Sequence, residues 1–188
     1  MSLHGGPEVL EYKTSVPCPF PSNSKQVTVD IAVAGLNPVD FKMRIGPIAD
    51  FLYPKPKIIG SDFAGVIINT PPGSKFVVGQ RVFGMLPLLG TPFGSYCSRC
   101  CIDESILCPA PQNVSLRDLG SIPLVACTII QAMRPVISSY NGLTEGKKCF
   151  IQAGSGGLGT FAIQYCANVL KMHVATSCSP RNFDLLRG

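Results

Sequence analysis

Residues 147 to 159 read KKCFIQAGSGGLG, an apolar run that leads straight into glycines at 154, 156 and 159. Few sequence features constrain a fold more tightly. Cys149, Phe150, Ile151 and Ala153 form the near-continuous apolar stretch of a strand buried on both faces. Downstream, Leu158, Phe161, Ala162, Tyr165, Cys166 and Val169 recur at helical spacing, and Met172 to Cys178 reads as a second strand. The order strand, glycine turn, helix, strand predicts one right-handed βαβ unit. Gly154 suits a tight turn out of the strand, Gly156 lets a backbone approach a pyrophosphate, and Gly159 allows close helix–sheet packing. Phosphates then meet a helix N-terminus, where amide N–H groups and the helix dipole favour anions. Glycine-rich loops also simply join strands to helices, so the flanking pattern carries as much weight as the glycines.

The end of the second strand selects among dinucleotides. A site for NADH usually places a carboxylate about 20 residues beyond the glycines, to accept the ribose 2′-hydroxyl. Residues 176 to 182 read TSCSPRN and contain none. Ser177, Ser179, Arg181 and Asn182 offer hydroxyls, a guanidinium and an amide suited to a 2′-phosphate, which favours NADPH over NADH. Ser179 followed by Pro180 also reads as a helix N-cap with proline at the first helical position, and both readings can hold together.

Composition narrows the remaining classes. The formal charge of +5 is dispersed, with Lys147 and Lys148 as the only adjacent pair singled out, so a nucleic-acid partner is not expected. The apolar run from Ile122 to Ile130 is far shorter than the roughly 20 residues that cross a bilayer, so no membrane partner is expected either. No secretory pattern opens the sequence, and the cysteine count of 9 is odd, which fits a reducing, cytoplasmic setting. Cys97, Cys100, Cys101 and Cys108 raise the question of structural zinc. If residues 94 to 102 form a strand, Cys97 and Cys101 face away from Cys100, and the spacing departs from paired C-x-x-C units.

Two regions differ in periodicity. Up to about residue 120 the chain is strand-rich: Val27, Val29, Ile31 and Val33 alternate with Thr28, Asp30, Ala32 and Ala34. Ile58 to Ile68, Phe76 to Met85 and Ser95 to Ile102 are further candidates, with Pro71-Pro72-Gly73 as a turn, which suggests an antiparallel barrel or sandwich. Beyond it, Ser115 with Asp118 resembles a capping box, and Ile122 to Met133 predicts a helix closed by Pro135. Asn141-Gly142 and Glu145-Gly146 then turn the chain into the glycine strand. The expected division is an all-β domain over 1–120 and a dinucleotide-binding domain opening at 121–188.

These features resemble the medium-chain dehydrogenase/reductase superfamily, in its zinc-free quinone oxidoreductase and enoyl reductase branch. The resemblance rests on HGGPEVLEY (4–12), VAGLNPVDFKMRIG (33–46), IIGSDFAGVI (58–67), VGQRVFG (78–84), GSYCSRCCIDESIL (94–107) and AGSGGLGTFAIQ (153–164). The closing VATSCSPRNFDLL (174–186) looks like the fungal trans-acting enoyl reductases and their NADPH-dependent relatives. The resemblance implies an α/β fold with an all-β part: a GroES-like β-barrel followed by the first βαβ unit of a Rossmann domain. Asn37 and Ser61-Asp62 stand where zinc-dependent relatives carry Cys and His-Glu, so a zinc-free site is implied, since zinc prefers thiolate and imidazole. The implied reaction is hydride delivery from NADPH to an activated double bond or a quinone.

By that resemblance, Val39, Asp40, Phe41 and Lys42 lie near the nicotinamide, and Thr128 contacts the cofactor. Ser155, Gly156, Gly157, Leu158, Gly159 and Thr160 hold the pyrophosphate. Ser177, Ser179, Pro180, Arg181 and Asn182 surround the 2′-phosphate. Lys42 is the catalytic candidate, steadying negative charge on the acceptor oxygen, although a solvated surface lysine reads equally well. Tyr53, Ser121, Leu124 and Thr128 border the small-molecule substrate; Tyr53 also suits simple packing. A homodimer is expected of the full-length form. A doubly wound domain needs about six strands and the sequence supplies two, so a fragment, splice product or truncated gene is expected. Two other readings stay open: a non-catalytic truncated binding module, and a zinc alcohol dehydrogenase using the cysteines at 97 to 108.

Overall fold

The computed structural model describes residues 5–17, 21, 23–44, 57–88, 91 and 93–187. The chain forms two compact units, Met1–Leu124 and Val125–Gly188. In the first, β1 (Gln26–Ala34), β2 (Asp62–Asn69), β3 (Arg81–Met85), β4 (Arg99–Asp103) and β5 (Leu107–Pro109) build an antiparallel sheet in the order β4-β1-β2-β3-β5. The alternation of β1 is realised only in part: Val27 and Val29 are fully buried and Asp30 and Ala32 exposed, but Thr28 is buried as well and Ile31 and Val33 only half-buried.

β2 is buried on both faces. Phe63 and Ile67 point into the main core with Val27, Val29, Val82, Cys100, Ile102 and Leu107. The intervening Ala64 packs on the opposite face with Ala110 and Leu119. Leu119 comes from α2 (Leu116–Leu119), whose N-cap Ser115 accepts the Asp118 N–H through Oγ at 3.1 Å, as the capping pattern predicts. Gly65 is required because a Cβ there would run into the backbone carbonyl of Asp30 on β1.

The strands are shorter than the sequence predicts. Ile58 to Ser61 precede β2 as irregular chain, with Gly60 held at φ +94 against the Tyr96 ring and Ser95. β3 starts at Arg81, not Phe76, because Gly79 at φ +87 turns the chain and Val77 and Val78 are exposed. Residues 95 to 98 bend before β4 begins at Arg99.

α3 (Pro123–Ser139) corrects a further expectation, since Pro135 lies inside the helix. Proline removes one ladder hydrogen bond but leaves the apolar residues beyond it able to continue the helix. Termination falls instead to Asn141 at φ 49 and Gly142 at φ 81, where the Gly142 N–H reaches back to the Ile137 carbonyl at 2.9 Å.

In the second unit, β6 (Lys148–Ile151) and β7 (His173–Thr176) pair in parallel, with Cys149 opposite Val174 and Ile151 opposite Thr176. Between them run α4 (Gly157–Gln164) and one π-helical turn, Tyr165–Val169. The expected strand, glycine turn, helix, strand order is present, but the expectation of a first strand buried on both faces is corrected: Phe150 is exposed and Cys149 and Ile151 are half-buried. The unit closes with a 3-10 turn at Pro180–Asn182 and α5 (Phe183–Arg187).

Phe63→Ala is expected to lower stability by about 3–5 kcal/mol in chemical denaturation, because the ring fills a close-packed core. Phe150→Ala, at a position 68% exposed, is expected to change it by less than about 0.5 kcal/mol.

Candidate functional site

The glycine turn is governed by space more than by backbone freedom. The residue in the left-handed region is Ala153, at φ 57, and none of Gly154, Gly156 and Gly159 has a positive φ. A Cβ on Gly154 would strike Thr176 Oγ1 on β7, and one on Gly159 would strike the Ala153 carbonyl and the Gly154 backbone. The sequence reading of Gly154 as a source of turn flexibility is therefore corrected: it is there because β7 passes against it. Gly156 is different. A Cβ there meets nothing nearer than the Ala153 carbonyl at 3.4 Å, so the space above it is open.

Gly156 is the N-cap of α4, and the first i→i−4 bond of the helix is Thr160 N–H to the Gly156 carbonyl at 2.9 Å. The N–H groups of Gly157, Leu158 and Gly159 precede that bond and so have no intrahelical partner. Such a terminus suits an anion. The Thr160 hydroxyl turns back to the Gly156 and Gly157 carbonyls at 3.2 and 3.1 Å.

The corner after β7 is tied to this turn. Asn182 Nδ2 donates to Ser155 Oγ at 2.9 Å, joining two residues 27 positions apart. The Gly154 N–H donates to the Ser177 carbonyl at 2.9 Å, and Ser177 Oγ accepts the Ala153 N–H at 3.3 Å. Ser179 caps the 3-10 turn without a side-chain bond, with Pro180 at its first position, and Arg181 is exposed. The chemistry of this donor set fits a phosphorylated dinucleotide.

The first unit carries a buried polar cluster. Asn37 caps α1 (Pro38–Lys42), its N–H donating to Asp40 Oδ2 at 2.8 Å. Tyr96 OH donates to the same oxygen at 2.8 Å. Asn37 Nδ2 donates to Asp62 Oδ2 at 2.9 Å, and the Leu124 N–H donates to Asp62 Oδ1 at 2.9 Å. Asp62 is fully buried and Asp40 nearly so; Asp40 Oδ1 has no hydrogen-bond partner among the described residues. Burial raises the Asp62 pKa above the usual carboxylate range, against the lowering effect of its two donors. Tyr96 is held well above the ordinary phenol range by burial and by its bond to Asp40. Lys57 is buried too, its Nζ donating to the Leu88 carbonyl at 3.3 Å; desolvation lowers its pKa, partly opposed by the Asp40 charge.

On α1, Asp40 is buried, Val39 half-buried, and Phe41 and Lys42 are exposed. Ser121 and Thr128 are exposed and Leu124 is half-buried. Tyr53 lies outside the described residues. The partnership of Asn37, Asp40, Asp62 and Tyr96 is absent from the sequence expectations. Its one local signal is Asn37-x-x-Asp40, the spacing of a reciprocal N-terminal cap. The expectation that residues 94 to 102 form one strand is corrected: residues 95–98 bend, β4 begins at Arg99, and the Cys97 thiol lies 3.3 Å from the Gly94 carbonyl and 3.1 Å from the Arg99 carbonyl. No group of three or more His, Cys, Asp or Glu is placed to hold a metal among the described residues, and no described helix is long and apolar enough to cross a membrane.

An antiparallel domain whose chain runs on into a strand, glycine turn and helix is the layout of a GroES-like domain followed by the start of a dinucleotide-type βαβ fold. Residues 23–167 match the alcohol dehydrogenase GroES-like domain, and the chain belongs to the medium-chain dehydrogenase/reductase superfamily. It is 36% identical to the trans-enoyl reductase pgmF of Aspergillus terreus, over 90% of this chain and 49% of that protein. It is 31% identical to a chloroplast envelope quinone oxidoreductase homolog of Arabidopsis thaliana, over 99% of this chain and 56% of that protein. An alcohol dehydrogenase superfamily protein from Novosphingobium aromaticivorans superposes with a TM-score of 0.84 at 29% identity, over 99% of this chain and 54% of that one. The chain spans about half the length of the curated relatives it matches.

Gly159→Ala is expected to destabilise the second unit by about 1–3 kcal/mol in thermal or chemical unfolding, because backbone must move to admit the methyl group. Lys57 gives a pH signature. Its folded pKa is depressed, so between that value and the ordinary lysine range the unfolded chain binds more protons, and stability rises with pH there. Wild type is expected to gain stability relative to Lys57→Met as pH climbs from neutral towards about 10.4. Parallel denaturation curves at several pH values check this.

Proposed function

We propose that this chain comprises the GroES-like domain, residues 1–120, and the start of the nucleotide-binding domain, residues 121–188, of an NADPH-dependent, zinc-independent oxidoreductase. Its reaction is hydride delivery to an activated double bond or a quinone. The observation that carries the reading is the α4 terminus. Amides of Gly157, Leu158 and Gly159 open above a space that Gly156 keeps clear, and Asn182 ties that turn to a corner without a carboxylate over residues 176–182. Relatives named as a trans-enoyl reductase and a quinone oxidoreductase homolog support the substrate class.

In this reading the turn from Ser155 to Thr160 grips the pyrophosphate through backbone N–H groups. Arg181, with Ser177, Ser179, Pro180 and Asn182 around it, meets the 2′-phosphate; a guanidinium gives charge-assisted, paired hydrogen bonds. NADPH, when bound, supplies the hydride. Val39, Asp40 and Phe41 flank the nicotinamide, and Thr128 contacts the cofactor. Lys42 steadies the negative charge that accumulates on the acceptor oxygen, a role for a cation beside a developing oxyanion. Tyr53, Ser121, Leu124 and Thr128 border the acceptor.

The test is nucleotide binding by this chain. NADPH is expected to raise the melting temperature, and to bind more tightly than NADH. Arg181→Ala is expected to weaken NADPH about tenfold or more while leaving NADH almost unchanged. Gly156→Ala is expected to keep the fold yet lose the nucleotide-dependent shift. Equal affinities for the two nucleotides would overturn the NADPH assignment. No shift with either would favour a non-catalytic binding module.

A further inference from the structure

Asp62 stands out as a buried group whose burial works against stability. It is fully buried, and among the described residues its side chain meets two neutral N–H donors, so desolvation is offset there by hydrogen bonds and not by an ion pair. Desolvation raises its pKa above the unfolded value, so the ionised carboxylate costs the fold stability near neutral pH and is held there by its two donors. What the carboxylate does supply is geometry. An ionised carboxylate accepts and never donates, so it fixes which end of the Asn37 amide faces it: Nδ2 turns inward and Oδ1 is directed away. Its other oxygen holds the Leu124 N–H, in the first turn of α3. One side chain on β2 therefore connects the cap of α1, a helix whose opposite end carries Lys42, to the start of the helix on which Leu124 lies.

We propose that Asp62 is a positioning residue for the acceptor end of the site, setting the polarity of the Asn37 amide and fixing α1 to the first turn of α3 through its two oxygens. This rests on the functional reading above for its consequence in catalysis, but not for its geometry. The network continues through the Asn37 N–H to Asp40 and from Asp40 to Tyr96, so the orientation of Asn37 is anchored on both sides. Asn37 itself is half-buried, and Nδ2 is the end of its amide that meets Asp62.

The test uses the chain's own hydrogen-bond logic. In Asp62→Asn, the new Oδ1 can keep the Leu124 N–H while its amide nitrogen faces Asn37, whose side chain must flip and present a donor outward. In the double variant Asn37→Asp with Asp62→Asn, position 62 donates and position 37 again presents an acceptor. Nitrogen-15 NMR of the 188-residue chain reads the flip directly. The Asn37 side-chain NH2 signals are expected to be protected from solvent exchange in wild type and to lose that protection in Asp62→Asn, with backbone shifts in α1. Unchanged Asn37 side-chain signals overturn the proposal.

Catalysis gives the second readout, in protein that turns over. Asp62→Asn is expected to lower kcat/KM for the acceptor about tenfold with unaltered NADPH affinity and a melting temperature near wild type, and the double variant to recover much of the loss. Activity that simply tracks melting temperature, without recovery in the double variant, also overturns it. If wild type binds no nucleotide, the functional reading fails, and the NMR comparison still decides whether Asp62 orients Asn37.

Discussion

The first unit depends on β2 being buried on both faces. Phe63 and Ile67 must fill the main core while Ala64 admits the helix bearing Leu119, and Gly65 must let β1 approach within backbone contact. These demands leave little choice of side chain along the strand. They also place Asp62, at the strand's first position, in the interior. A carboxylate there has to be met by donors, and the Asn37 amide and the Leu124 N–H meet it. Sheet packing and the polar cluster are thus one problem with one solution: the strand that organises the core also delivers the group that orders α1 and the start of α3.

The second unit is organised by close approach. β7 runs against Gly154 so tightly that its Thr176 hydroxyl occupies the place of a side chain, and α4 sits on the Ala153 carbonyl so closely that Gly159 has no room for one. The left-handed conformation falls on Ala153, where an L-residue carries a cost of order 1 kcal/mol. Bonds from the Ala153 and Gly154 N–H groups to Ser177 hold that conformation in place. Ser177 therefore shapes the turn, and the reach of Asn182 to Ser155 brings the 180–182 segment to the same place.

Much of this was legible from residue order. The strand over Val27 to Val33, the glycine turn and the Ser115 cap all follow from local pattern, because period and capping depend on near neighbours. The misjudged boundaries share a physical cause. Val77 and Val78 look like strand and are exposed, because left-handed Gly79 ends the pairing. Pro135 looks like a stop and is carried inside α3, because one missing hydrogen bond is tolerated where the helix continues on apolar residues. The placement of the Cys97 thiol on the Gly94 and Arg99 carbonyls was hidden because a bend at 95–98 breaks the alternation that strand reasoning assumes.

Sequence by itself determined the βαβ order and the glycine turn with its carboxylate-free corner, since both are written in spacing along the chain, and its motifs carried the resemblance to the family. Tertiary structure alone decided how the locally spaced Asn37–Asp40 cap joins Asp62, Tyr96 and Leu124, partners up to 87 positions apart along the chain. The reason is electrostatic and steric together. A buried carboxylate accepts whatever donors the packed sheet and helix starts bring within reach, and which donors those are is fixed when the core closes.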